Sequence, residues 1–277
     1  MTAARTSSIN IFVNVSLRMN AERRLAIRVA TSWLPCFSLL LAACQLSVVQ
    51  GAESKPRGEP AKAANVHFDP VVQQIEGWTV HVDPKMLEGE HREEDARALR
   101  MLANHLQRIA ILLPEDRLKK MRELEIWIEH HHPELRSMQY HPDVKWLTDR
   151  GYDPRLAKKV HIPRAGSLLS RHQMIKHPAV VLHELSHAYH DQHLGFGDRQ
   201  IIEAYKKAKA GGAYEKVLSH SGRKVRHYAM TNHKEYFAEG TEAYLYRNDF
   251  YPFVRAELKE HDPVLHDLLE EIWGPLR

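Results

Sequence analysis

This sequence predicts a single α+β domain, and three features predict it. Short alternating or β-branched runs at 77–84, 124–130 and 159–163 read as strands of a small mixed sheet. Stretches with apolar residues at helical spacing, near 93–113, 179–193, 232–245 and 263–273, read as helices. No internal repeat or low-complexity tract divides the chain. The expected arrangement sets a sheet-edge strand over the helix at 179–193 and a second polar-faced helix, at 232–245, beside it.

Residues 1–52 read as an export signal rather than part of the fold. Met19 makes a better start than Met1, because Arg23, Arg24 and Arg28 then precede an apolar run from Leu34 through 37–43 to Val49. Gly51 and Ala52 suit cleavage, which predicts a secreted or periplasmic product. Leu41-Ala42-Ala43-Cys44 also resembles the lipobox of bacterial lipoproteins, so a lipid anchor on Cys44 is one alternative and a membrane-spanning anchor another. Both cysteines, Cys36 and Cys44, fall in this segment, which leaves the remainder without disulfides.

Charge follows the same division. The chain holds 39 Lys and Arg against 35 Asp and Glu; removing the five Arg and one Glu of residues 1–52 leaves 34 of each. A neutral remainder has no footprint for nucleic acid or anionic lipid. Residues 53–66, with Lys55-Pro-Arg-Gly-Glu-Pro60, have little to bury and read as a linker, so the folded domain is expected at 67–277, as a monomer.

Within that domain, 77–84 alternates apolar and polar residues up to Pro84 and reads as a first strand. Leu99, Leu102, Leu106, Ile109 and Leu113 form the core stripe of the helix at 93–113. Pro114 opens a short helix with Leu118 and Met121, and 124–130 reads as a central strand. His130, His131 and His132 end it; on a strand, neighbours face opposite ways, so ordinary exposed histidines are expected rather than a metal site. With Pro133, Pro142, Gly151 and Pro154, residues 133–158 read as loop. Lys159-Val-His-Ile-Pro163 reads as a short strand that its proline places at a sheet edge, where an extended peptide could align. A helix at 199–210 ends at Gly211-Gly212, a small hairpin or loop over 217–230 delivers Tyr228, and helices at 251–260 and 263–273 close the chain, the latter capped by Asp262.

The chemistry concentrates in 179–193. His183 and His187 are one helical turn apart and project from one face, near enough to hold one cation, while Glu184 leans toward the same place. That is the His-Glu-x-x-His pattern in which two imidazoles bind zinc and the carboxylate serves as a base toward water. Pro178 suits the helix start, and Val180, Val181, Leu182 and Leu185 would bury the helix beside the metal. A catalytic zinc needs a third protein ligand. His193 has the spacing of the metzincin pattern, but His190 stands where that pattern turns on a glycine. Glu235 is the other candidate. Asn232 can cap its helix, on which Glu235, Glu239 and Glu242 share a face. A charge run is ordinarily a solvated stripe, yet Tyr236, Phe237, Ala238, Ala243 and Tyr244 around this one imply burial, and buried carboxylates need partners.

The pair His183-Glu-Leu-Ser-His187 and Tyr228-x6-Glu235-Tyr-Phe-Ala-Glu239 resembles the gluzincin metallopeptidases, in particular the anthrax lethal factor protease domain and the secreted Pro-Pro endopeptidases. The resemblance covers the two motif helices and the segment between them. A weaker similarity links the same segments to bacterial cytosolic aminopeptidases. The gluzincin resemblance implies a zincin-like domain holding one zinc ion, with Glu235 as third ligand, Tyr228 facing the transition state and Glu239 supporting the site. The expected function is therefore an exported zinc endopeptidase acting on a peptide or protein, with Glu184 as base; the alternative is an exported zinc-binding protein that retains the fold without catalysis.

Overall fold

The computed structural model describes residues 67–275. The export signal, the better start at Met19, the lipobox cysteine Cys44 and the 53–66 linker lie outside the described residues.

Five strands form the main sheet: β1 (Val71–Ile75), β2 (Trp78–Val82), β3 (Glu125–Ile128), β4 (Gln139–Tyr140) and β5 (Lys159–Ile162), in the order β1-β2-β3-β5-β4. The β2-β3 and β3-β5 pairs are parallel, and the outer pairs β1-β2 and β4-β5 antiparallel, so the sheet is mixed. The expected first strand is thus the second half of a hairpin. Glu76 (φ 51°) and Gly77 (φ 91°) supply the two positive φ values that a tight hairpin needs. At Gly77 a Cβ would also meet Arg122 Nε at 2.5 Å, so any other residue would displace that side chain as well as strain the backbone.

Nine α-helices lie among the described residues. In order they are α1 (Arg92–Leu112), α2 (Glu115–Arg122), α3 (Val144–Thr148), α4 (Arg171–Lys176), α5 (Val180–Tyr189), α6 (Arg199–Gly211), α7 (His233–Leu245), α8 (Arg255–His261) and α9 (Pro263–Trp273). A small hairpin, β6 (Val217–Leu218) with β7 (Lys224–Val225), precedes a 3-10 turn at Tyr228–Met230. Asn232 caps α7 through the N–H groups of Lys234 and Glu235, and Asp262 caps α9 through that of Leu265.

Strand alternation divides the sheet into two faces. Val80, Val82, Ile126, Ile128, Val160 and Ile162 join the helices in the main core, while Trp127 packs with Leu147 and Leu156 in a second, smaller cluster. Both α1 and α5 contribute to the main core.

One expectation fails here. Lys159–Ile162 is not the edge strand: β5 is paired on both sides, by β3 and β4. The edge is β4, within the stretch read as loop. Its two residues carry no strand pattern of their own and are held by tertiary contacts. The Tyr140 hydroxyl donates to Asp191, just beyond α5, at 2.6 Å, and Lys158 Nζ reaches the same carboxylate oxygen at 2.6 Å. These bonds tie the sheet edge to the end of the motif helix.

Candidate metal centre

Helix α5 is buried at every position except His187, so tertiary packing fixes its rotation. It continues into a wider turn at His190–Leu194. Helix α7 is buried from Tyr236 to Leu245 and packs against α5. That packing brings three side chains together. The Nε2 atoms of His183 and His187 stand 3.1 Å apart, and each lies 3.2 Å from Glu235 Oε2.

A second carboxylate fixes the state of this cluster. Glu242 Oε1 is 2.6 Å from His183 Nδ1 and 2.9 Å from His177 Nε2. An ionised carboxylate only accepts, so His183 Nδ1 carries a hydrogen and Nε2, facing Glu235, is the nitrogen that takes a second proton or a metal. Bare nitrogen, neighbouring imidazole and carboxylate oxygen at such distances repel one another unless a proton or a cation lies among them. Burial opposes charge on His183, yet its bonds to Glu235 and Glu242 outweigh that and hold its proton affinity well above the ordinary histidine range. Burial likewise pushes Glu235 up, but the two histidines hold it well below the usual carboxylate range. Two nitrogens and one oxygen with a carboxylate behind one imidazole fit a divalent cation, and zinc by donor type.

Glu184, beside His183, accepts a hydrogen bond from the backbone N–H of Tyr140 at 2.9 Å. Burial raises its proton affinity, with His183 and His187 acting against the shift. The edge strand therefore orients the candidate base directly. Tyr228, 48% exposed, lines two cavities that flank the triad, one of about 400 Å³ on the His177 side and one of about 260 Å³ on the His187 side.

The carboxylate behind His183 is Glu242, not Glu239 as the gluzincin resemblance implies. Seven residues bring a helix back almost to the same angle, so Glu242 follows Glu235 along the line facing α5, whereas Glu239 is rotated away from it. Glu239 lines the larger cavity and hydrogen-bonds neither ligand histidine. His193 does not approach the cluster either. It packs on the Tyr189 ring and its Nε2 meets Lys120 O at 3.1 Å, across α2. Of the other histidines considered, His130 pairs with Asp95 at 2.9 Å and His132 accepts from the N–H groups of Glu134 and Leu135, so both are engaged locally.

Compared by sequence, the chain matches no protein family and no curated protein. Compared by structure, it is similar to a Pro-Pro endopeptidase (PPEP-2) from Paenibacillus alvei, at TM-score 0.40 and 19% identity over 72% of this chain and 99% of that one. So slight a likeness decides neither fold nor activity, and the site rests on its own geometry.

Sequence reasoning missed three contributors to this site: His177, Asp249 and the backbone of Tyr140. His177 closes α4 and shares Glu242 with His183; Asp249 follows α7 in a loop and lines the larger cavity. The one available signal was Glu242 itself, an acid two turns after Glu235 in an apolar setting.

Proposed function

We propose that this chain is an exported zinc endopeptidase. The observation that carries the reading is the convergence of His183 Nε2, His187 Nε2 and Glu235 Oε2, with Glu184 alongside and hydrogen-bonded to the edge strand β4. The motif pair's resemblance to gluzincins supports the same reading, and export is inferred from the pattern at 19–52.

Bound zinc would polarise the scissile carbonyl and make the attacking water more acidic. Glu184, steered by Tyr140 N–H, takes the water's proton and passes it to the leaving amine. The Tyr228 hydroxyl donates to the oxyanion that develops on the carbonyl. Glu242 holds His183 in the tautomer that leaves Nε2 free for a metal. The outer side of β4 is unpaired by any other strand among the described residues, and an extended peptide can lie along it, with the Tyr140 N–H kept by Glu184.

Glu184→Gln tests the proposal, because the glutamine keeps the shape and touches none of the three donor atoms. The zinc content of the purified protein should be unchanged, while hydrolysis of a peptide library falls by a factor of about 10²–10⁴. Wild-type protein that holds zinc and cleaves no peptide would instead favour a non-catalytic zinc-binding role.

A further inference from the structure

The larger cavity, on the His177 side, has a composition that the catalytic reading does not use. Its floor includes Glu239 and Asp249, which are 2% and 4% exposed. Buried carboxylates ordinarily have hydrogen-bonding or cationic partners. Glu242, beside them, has two in His177 and His183.

Glu239 has none. Its Oε2 is fully buried without a hydrogen-bond partner, and the nearest ring nitrogen, His227 Nδ1, stands 3.9 Å away. That nitrogen already accepts from the Ala229 N–H, so it presents a lone pair, and burial lowers the pKa of His227 to about 3. Asp249 is little better served, with His220 Nδ1 at 3.8 Å, beyond hydrogen-bonding distance. Burial raises the proton affinity of both acids, with the Glu242 charge adding to it and His177 acting against it, so a cation entering here takes the place of a proton. Their positions are nevertheless fixed by the backbone: Asn248 Nδ2 donates to Glu239 O at 2.7 Å, and His220 N to Asp249 O at 2.7 Å.

Met138, Val180 and Phe250 supply apolar wall to the same cavity. Three apolar side chains in one cavity with two under-partnered carboxylates suit a cationic head on a flexible hydrocarbon stem. Arg136 and Lys176 also border the cavity, but both are exposed and screened by solvent, whereas the carboxylates are not. Direction follows from the sheet. The cavity touches Arg136–Met138, the N-terminal approach to β4, and the smaller one touches Gln139, Tyr140 and Pro142. A substrate strand added antiparallel to β4 would therefore run its C-terminal side into the larger cavity.

We propose that this cavity is a specificity subsite for a lysine or arginine side chain, the residue that follows the scissile bond, with its cationic head against Glu239 and Asp249. The proposal rests on the peptidase reading for the word "scissile" and on the cavity alone for its preference for a cation.

Two measurements on the full chain separate these. In the first, zinc-loaded protein is given peptides that differ only at that position, with Lys, Arg, norleucine or Glu. The basic peptides are expected to have kcat/KM at least about tenfold above norleucine, and Asp249→Asn to bring the ratio close to one. In the second, which needs no turnover, n-butylguanidinium and n-butanol are titrated into the protein by calorimetry. Only the cation is expected to bind, about tenfold more weakly to Asp249→Asn; Glu239→Gln serves in both measurements if that variant does not fold. Cleavage with no basic preference overturns the subsite and leaves the peptidase reading standing. Binding of the cation that is lost in the variant, with no peptide cleaved, supports the subsite and removes the peptidase. Equal binding of cation and alcohol overturns the subsite.

Discussion

His183 Nδ1 lies 2.6 Å from Glu242 Oε1, so this carboxylate determines which nitrogen of the ring is free. Glu242 is fully buried and also holds His177. Removing it frees His183 to flip or to protonate, and leaves His177 without its acceptor. Glu242→Ala is therefore expected to weaken zinc binding by about 10–100-fold, read by competition with a chromophoric chelator. Glu239→Ala, which breaks no bond to a ligand histidine, should cost much less. Equal losses in the two variants would refute the assignment of Glu242 over Glu239.

That exchange of roles marks how far the sequence could be read. His183, Glu184 and His187 were legible because helical spacing alone places them; Glu235, on another helix, was one of two candidates that the resemblance favoured over His193, and the structure brings it to the two histidines. Glu239 and Glu242 share a face by spacing, and only the roll of α7 against α5 decides which meets His183. Packing among residues distant in sequence sets that roll. Strand β4 was illegible for the same reason: two residues have no period, and Tyr140 is a strand residue because Val160 and Asp191 hold it. The central strand β3, the long helix α1 and the capped helix α9 were legible from local pattern, since each carries its own apolar face.

Tyr228 tests the catalytic reading from the opposite side of the cleft. Its ring is half-exposed and borders both cavities, and its helix turn is anchored by His227, which accepts from Ala229 N–H, rather than by the phenol. Tyr228→Phe should leave folding and zinc content as they are and lower kcat by about 10²–10³, the effect of deleting one oxyanion donor. If the ring merely packs, kcat will not move.

Gly240 governs how closely α7, which carries Glu235 and Glu242, lies on α9. A Cβ at this position would stand 2.6 Å from Leu265 Cδ2, 3.1 Å from Leu265 Cγ and 3.2 Å from Leu269 Cδ1. Those leucines are 1% and 0% exposed, so either can give way only within the core, where the cavity beside Gly240 and Leu265 is very small. Alanine would gain about 1 kcal/mol of helix propensity, against about 1–3 kcal/mol for overpacking. The steric cost is expected to win, so Gly240→Ala should lower the urea midpoint and, by tilting α7, weaken zinc binding. A raised midpoint would show that the helix pair has slack.

His190 supplies a stability prediction with a pH signature. It is fully buried among Phe196, His233 and Phe237, and neither ring nitrogen has a hydrogen-bond partner among the described residues. Burial first, and then the charges of His233 and His187, lower its pKa from 6.5 to about 3. On acidification the unfolded chain takes a proton at this residue near pH 6.5, while the folded chain refuses it until near pH 3. Folding stability is therefore lost through this group as pH falls across that interval, by up to about 1.4 kcal/mol per pH unit. His190→Leu keeps an apolar side chain in the cavity and removes both the unpartnered nitrogens and the titration. The variant should be more stable at pH 7.5 by about 1 kcal/mol, and its advantage should widen between pH 6.5 and pH 4. Urea unfolding of both proteins across that range, with zinc held saturating, reads the difference directly because every other titrating group is common to the two. A difference that stays flat with pH would mean that His190 is charged, or partnered, in the folded protein.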